Sequence, residues 1–186
     1  MRARCYVQIG VLLAVLPVFE QRAIAALTGS VNFDKGGLLS GRIDYVVYDP
    51  QGYQSSITDY VYAYQIFNDA SSTVGIDCFS VGFSPDIQVF YAWCEPTGPE
   101  DKIPTWFLPP TSVLYVFPTG IKADERSGML FFTSDSPPET GIGVVTAGVA
   151  GSVNVEVPSP SPVPEPATLT LVSAGAFLAL RRKRNV

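Results

Sequence analysis

The side chains best suited to chemistry in this sequence are acidic ones that stand in adjacent pairs, Glu100-Asp101 and Asp124-Glu125. Two carboxylates that converge on one bond can hydrolyse a glycosidic linkage. Neighbours within an exposed loop do not specify that geometry, so we interpret both pairs as solvated loop charges. Loop carboxylates near Asp34 or Asp124 could also bind calcium, but no EF-hand spacing supports such a site. We therefore predict no catalytic residue and no metal site.

The residue types and motifs that are missing narrow the chemistry further. The sequence has no histidine, which excludes Ser-His-Asp and Cys-His catalysis and removes the commonest metal ligand. It also has no phosphate-binding glycine loop, no dinucleotide-binding glycine pattern and no C-x-x-C spacing. We expect a non-enzymatic protein without a cofactor.

The aromatic residues are the remaining candidates for a binding site. Exposed aromatic side chains can stack on sugar rings, but the simpler interpretation is that they pack in the core with their hydroxyl groups at its rim. Tyr60, Tyr62 and Tyr64 stand at alternate positions and so share one face of the predicted strand 58–67. Val61 and Ala63, on its opposite face, are also apolar, which favours a strand covered on both sides. The aromatic candidates are Tyr60, Tyr62, Tyr64, Phe90, Trp93, Trp106 and Phe107.

The central part of the chain predicts β-structure throughout. Segments rich in Val, Ile, Tyr and Phe alternate with clusters of Gly, Pro, Asn and Asp. Eight short predicted strands and no convincing amphipathic helix indicate an all-β domain that forms a single antiparallel β-sandwich. The pattern does not distinguish an immunoglobulin-like sandwich from a jelly-roll. The predicted strands are 42–48, 58–67, 76–83, 88–94, 112–117, 129–133, 143–147 and 152–157.

Residues 1–26 have the parts of a secretory signal peptide with an apolar signal helix. Arg2 and Arg4 form its positive end, and the segment 7–19 is predominantly apolar. The small residues that predict the cleavage site are Ala23, Ala25 and Ala26.

The exported domain, residues 27–157, differs in charge from the whole chain. Residues 27–162 hold five basic and fifteen acidic residues, a net charge of −10, whereas the whole chain has −5. So acidic a surface disfavours nucleic acid as a partner. The two cysteines of this domain, Cys78 and Cys94, would stand in an oxidising compartment and in neighbouring predicted strands, so we predict a disulfide between them.

The last part of the chain is a proline-rich linker, 158–162, followed by a three-part segment, 163–186. Its motif is Val163-Pro164-Glu165-Pro166, its apolar run extends from Ala167 to Leu180, and its basic block is Arg181-Arg182-Lys183-Arg184. A helix over the apolar run would be about 21 Å long, which is short for a membrane helix that ordinarily takes about 20 residues. The basic block at its end should stay cytoplasmic. The extended proline-rich stretch 157–166, which includes the linker and the motif, should hold the domain up to roughly 30 Å from the membrane.

This three-part segment resembles the PEP-CTERM sorting signal of exported proteins. In that family a C-terminal helix holds the protein in the inner membrane until a membrane transpeptidase, the exosortase, cuts near the motif. The family occurs in Gram-negative bacteria that make extracellular polysaccharide and biofilm. The resemblance implies that Glu165 and its flanking prolines are recognised by the exosortase, and that the inner membrane is a transient partner. It predicts a cell-surface or extracellular protein with exopolysaccharide as a further candidate partner. A carbohydrate-binding module and a glycoside hydrolase with paired carboxylates remain the alternatives.

Overall fold

The computed structural model describes residues 25–54 and 56–161, which form two five-stranded sheets. The first sheet has the order β1-β2-β3-β8-β5 and the second β10-β9-β4-β7-β6, and every strand pair is antiparallel. The strands are β1 (Ala25–Lys35), β2 (Leu39–Tyr48), β3 (Tyr60–Asn68), β4 (Ile76–Gly82), β5 (Val89–Glu95), β6 (Thr105–Phe107), β7 (Ser112–Ile121), β8 (Met129–Ser134), β9 (Pro138–Ala147) and β10 (Gly151–Pro160). The prediction of an all-β antiparallel fold is confirmed.

The two sheets enclose one apolar core to which both contribute alternate residues. Ile43, Tyr64 and Phe132 enter it from the first sheet, and Phe79 and Tyr115 enter it from the second. Because successive side chains of a strand point to opposite faces, the residues between them face outward. The described residues contain no helix long and apolar enough to cross a membrane. The predicted signal helix and C-terminal membrane helix lie outside the described residues.

Strand β3 is buried on both of its faces, as the sequence predicted. Tyr62 and Tyr64 face the core, while Val61 and Ala63 face a second, smaller apolar cluster on the outer face of the first sheet. All four are between 0 and 1 % exposed. The strand is therefore central in the fold, which explains why its sequence is almost continuously apolar.

Two strands were not predicted, β1 and β6. Most residues of β1 are exposed, so its sequence carries only a weak apolar alternation. It is an edge strand whose conformation is fixed by pairing with β2, which is regular from Leu27 to Lys35. Strand β6 has three residues, all of them exposed, and lies at the edge of the second sheet. Edge strands such as these depend on a partner strand that the local sequence does not specify.

The linker prediction for 158–162 is wrong at its start, because β10 continues to Pro160. Pro158 pairs with Thr140 of β9, and Pro160 pairs with Pro138. Both prolines are buried. Strand β10 is at the edge of its sheet, where a residue without an N–H group is tolerated. Only two residues, 161 and 162, therefore separate the end of β10 from the motif that begins at Val163.

The first and last described strands place both ends of the domain on the same side. Strand β1 begins opposite Tyr48, the last residue of β2, and β10 ends opposite Pro138, the first residue of β9. Leu27 of β1 and Pro158 of β10 line one shallow surface depression. The start of β1 and the end of β10 consequently lie at one end of the described domain.

The predicted disulfide is absent, since Cys78 and Cys94 are both free thiols. The two residues lie on strands that follow each other in sequence but belong to different sheets, β4 in the second and β5 in the first. Cys94 packs against the core, whereas Cys78 precedes the core residue Phe79 and so faces away from it. A bridge would have to cross the second sheet, which the strand geometry does not permit.

Candidate functional site

The tyrosines at alternate positions of β3 do not form a surface platform. Tyr62 and Tyr64 are fully buried, and only Tyr60 is half-buried. The Tyr62 hydroxyl donates to the carbonyl oxygen of Ser136 at 2.8 Å, and the Tyr64 hydroxyl donates to that of Pro158. Burial raises the pKa of both phenols above the usual value. Their interpretation as core residues is confirmed.

An aromatic cluster covers the outer face of the first sheet instead. Trp93 of β5 stacks on Phe131 of β8, with ring centroids 4.8 Å apart and planes 7° apart. Tyr53 lies over the same pair, 6.1 Å from Trp93 and 5.3 Å from Phe131. It comes from the connection between β2 and β3, of which residues 49–54 and 56–59 are described. Apolar burial holds this connection against the sheet.

The carboxylate of Glu95 fixes the position of two of these rings. Its Oε1 atom accepts hydrogen bonds from the Tyr53 hydroxyl and the Trp93 indole N–H, both at 2.9 Å. Burial and the adjacent carboxylate raise the pKa of Tyr53, so this hydroxyl stays a donor. Because Trp93 and Glu95 are two residues apart on one strand, they share its outer face.

A cleft of about 400 Å³ opens beside this cluster, between strand β5 and the β2–β3 connection. Tyr91, Trp93 and Glu95 form one wall, and we call this depression the β5 cleft. Its described lining consists of Gln54, Ser56, Ile57, Thr58, Asp59, Tyr91, Trp93, Glu95 and Thr133.

Thr133 is the unusual member of the lining. It is 2 % exposed, and its Oγ1 atom has no hydrogen-bond partner among the residues that the structure describes. A buried hydroxyl without a partner costs free energy, and most buried polar groups in proteins avoid that state. The lining of the β5 cleft therefore includes a buried hydroxyl that no described residue satisfies.

Of the β5 cleft, the sequence analysis singled out only Trp93. Tyr91, Trp93 and Glu95 alternate along β5, which is a readable signal for a shared face. The local sequence around Asp59 and Thr133 does not indicate a shared site with β5, because only the folding of the chain brings these two residues to that strand. The acid pair Asp59 and Glu95, which line one cleft, was also not predicted from sequence.

One member of each acidic pair of the sequence, Asp101 and Glu125, has a structural role. Asp101 accepts a hydrogen bond from Arg126 at 2.7 Å, and its side chain is fully enclosed, at 0 % exposure. Glu125 forms an ion pair with Lys102 at 2.9 Å. The interpretation as solvated loop charges is thus wrong for Asp101. Burial by itself would raise the pKa of Asp101, but hydrogen bonds, that from Arg126 foremost, outweigh burial and lower it.

The other candidates occupy different parts of the domain. Phe90, Trp106 and Phe107 are 40 %, 40 % and 52 % exposed, on the two strands β5 and β6 that end their sheets. Asp34 pairs with Ser40 in the β1–β2 ladder. Within residues 25–54 and 56–161, no group of three acidic or cysteine side chains is placed to hold a metal ion.

The predicted sorting and cleavage residues fall mainly outside the described part of the chain. Ala23 lies outside it, whereas Ala25 and Ala26 are the first two residues of β1. The motif, the apolar run and the basic block, 163–186, also lie outside the described residues.

Comparison with known proteins identifies the last segment. The family model of the PEP-CTERM protein-sorting motif matches residues 162–184. No curated protein and no solved structure matches the chain. The match includes Val163 to Pro166, the apolar run and the basic block through Arg184. Residues 162–184 therefore carry the PEP-CTERM protein-sorting motif, which suggests a protein that an exosortase sorts to the cell surface.

Proposed function

We propose that this chain is a non-enzymatic protein of the cell surface or biofilm matrix of a Gram-negative bacterium. An N-terminal signal exports it, and an exosortase then processes it near Val163-Pro164-Glu165-Pro166 in the inner membrane. The observation that carries this proposal is the match of the PEP-CTERM motif to residues 162–184.

The properties of the domain support an extracellular role. Its net charge of −10 over residues 27–162 favours solubility. One acid of each adjacent pair, Asp101 and Glu125, forms an ion pair, with Arg126 and Lys102 respectively, which is a structural use. The start of β1 and the end of β10 lie at one end of the described domain, so a domain still held by its tail would direct the opposite end, with the β1–β2 turn, away from the membrane.

The mass of the mature protein tests this proposal. We expect the wild-type protein to lose about 20 residues or more at each end, as is usual for removable targeting segments. Glu165→Ala should retain the C-terminal segment and stay in the membrane fraction. Glu139→Ala is the matched control, because Glu139 is an exposed glutamate at the same end of the domain. A full-length C-terminus in the wild-type protein would make the segment a permanent anchor and refute processing.

A glycoside hydrolase is the second candidate, favoured by the presence of Asp59 and Glu95 in one cleft. Glu95 already accepts hydrogen bonds from Tyr53 and Trp93 at one oxygen, which supports a positioning role for it. Release of reducing sugar from polysaccharides, abolished by Asp59→Asn and Glu95→Gln separately, would establish the hydrolase in place of the non-enzymatic protein.

A further inference from the structure

We propose that the β5 cleft is a binding site for an uncharged hexopyranose chain, such as a neutral polysaccharide of the matrix. This inference concerns the folded domain, and it does not depend on how the C-terminal segment is processed. It rests on the aromatic wall of the cleft, its hydrogen-bonding groups and its charge.

The aromatic wall suits the apolar C–H face of a pyranose ring. Tyr91 is 71 % exposed, so its ring is available to a ligand. Trp93 is held from behind by its stack on Phe131 and at its edge by Glu95. A ring fixed in this way loses little conformational freedom when a ligand stacks on it, and burial of the sugar's C–H groups stabilises the complex.

The polar groups of the cleft match the hydroxyl groups of a sugar. Thr133 Oγ1 is buried and has no partner in the described part of the protein, so a ligand hydroxyl that donates or accepts would satisfy it. Among the described residues, both side chains that donate to Glu95 bind its Oε1 atom, so Oε2 is available to accept from a sugar hydroxyl. Gln54 and Asp59 add an amide and a carboxylate to the same lining.

The charge of the cleft selects against acidic ligands. Asp59 and Glu95 line it, and none of its described lining residues is basic. An anionic chain such as a uronate polymer would be repelled by these carboxylates. A purely apolar ligand would offer no hydrogen-bond partner to Thr133 Oγ1, to the Asp59 carboxylate or to Glu95 Oε2. An uncharged polyhydroxyl chain fits the aromatic wall, the hydrogen-bonding groups and the charge of the cleft.

Affinity electrophoresis of the exported protein tests this site. The protein is run through native gels that contain dextran, laminarin or galactomannan as neutral probes, polygalacturonate as the anionic probe and chitosan as the cationic probe. We expect at least one neutral probe to retard the protein and polygalacturonate to leave it unretarded. Retardation by none of the neutral probes, or retardation by the anionic or cationic probe alone, would overturn the proposal. Release of reducing sugar from the probe that retards the protein would show that the cleft hydrolyses the polysaccharide, and would overturn the proposal of a site for binding alone.

Single variants assign the binding to the cleft. Tyr91→Ala should weaken retardation about tenfold through loss of the stacking surface. Thr133→Val should weaken it about fivefold through loss of one hydrogen bond. Because Thr133 Oγ1 has no partner among the described residues, this variant should leave the thermal midpoint unchanged or raise it, which separates a binding role from a structural one.

Two controls complete the design. Phe107→Ala removes an aromatic ring that is 52 % exposed on the other sheet, and it should leave retardation unchanged. An equal loss in Phe107→Ala and Tyr91→Ala would refute the cleft as the site. Glu165→Ala protein, extracted in detergent, should be retarded like the wild type, so a failure of the sorting proposal is distinguishable from a failure of this one.

Discussion

The hydroxyl group of Tyr64, at the centre of the core, donates a hydrogen bond to the carbonyl oxygen of Pro158 in the last strand. Tyr64 belongs to the first sheet and Pro158 to the second, so this bond joins the two layers. It also holds the end of β10, from which the sorting segment continues. A fully buried tyrosine therefore anchors the strand that leads to the sorting segment.

Tyr64→Phe should lower the free energy of unfolding by about 1–2 kcal/mol, because the carbonyl group of Pro158 is left buried without its donor. Urea denaturation followed by circular dichroism measures this loss. Tyr91→Phe removes a hydroxyl from a residue that is 71 % exposed, and it should change stability little. Equal stability of wild type and Tyr64→Phe would show that this bond does not stabilise the fold.

The buried carboxylate of Asp101 should make the domain acid-sensitive. Its folded pKa lies below the ordinary value because Arg126, Thr97 and Gly98 donate to it. The stabilisation is present above the unfolded pKa of about 4 and is lost as pH falls through the lower folded pKa. Asp101→Asn should lower the free energy of unfolding by about 1–2 kcal/mol at neutral pH. The expected loss is small because Arg126 is partly solvated, which weakens its interaction with Asp101.

Denaturation midpoints measured between neutral pH and pH 2 check this linkage. The wild type should lose stability towards acid, and Asp101→Asn should show a flatter profile. Glu100→Gln, at the exposed neighbouring position, is the matched control and should follow the wild-type profile. Parallel profiles of wild type and Asp101→Asn would argue against Asp101 as the titrating group.

The buried tyrosines should make the fold sensitive to alkali. Burial raises the pKa of Tyr62, Tyr64 and Tyr115 in the folded domain. Their stabilisation is complete below the unfolded pKa of about 10 and declines as pH rises above it. Phenolate absorbance and circular dichroism, followed together, should show these three tyrosines ionising only as the domain unfolds. Their ionisation before any loss of circular dichroism would contradict the burial.

The cysteines should react as free thiols. In the exported protein, denatured without reductant, iodoacetamide should modify both Cys78 and Cys94, because neither is bridged. In the folded protein at neutral pH, Cys94 should react slowly, since burial and then the carboxylates of Asp101 and Glu95 raise its pKa to about 11. Intact mass measures both states, and Cys94→Ser identifies the slow site. If the denatured protein had to be reduced before iodoacetamide could modify the two cysteines, the result would show that a disulfide joins them.

The short spacing between β10 and the sorting motif should limit processing. Residues 161 and 162 can span at most about 7 Å, so the folded domain stands close to the enzyme that reads the motif. A six-residue Gly-Ser insertion after Ser161 should therefore increase the rate at which the C-terminal segment is removed, as measured by pulse-chase. The same insertion between Gly36 and Gly37, in the turn at the opposite end of the domain, should not. Equal rates for all three proteins would show that access to the motif is not limiting.

Local sequence determined the features that depend on residue type and spacing. Proline and glutamate at 163–166, an uncharged run and four basic residues match the PEP-CTERM sorting motif, which is a linear pattern of residue types and needs no tertiary contact to be recognised in the sequence. The alternation of Val, Ile, Tyr and Phe likewise indicated an all-β antiparallel fold and a β3 strand covered on both faces, since a strand's side chains alternate between its two sides.

Only the tertiary structure decided which residues meet. Local sequence predicts that Pro158 belongs to a linker. In the structure it pairs with β9 at an open sheet edge, and its carbonyl oxygen accepts a hydrogen bond from the hydroxyl of Tyr64. Cys78 and Cys94 read as a bridge, yet their strands belong to different sheets. The β5 cleft joins Asp59, Glu95 and Thr133 from three separate segments. These outcomes depend on contacts between residues far apart in sequence, so strand pairing and sheet packing fix them and local composition does not.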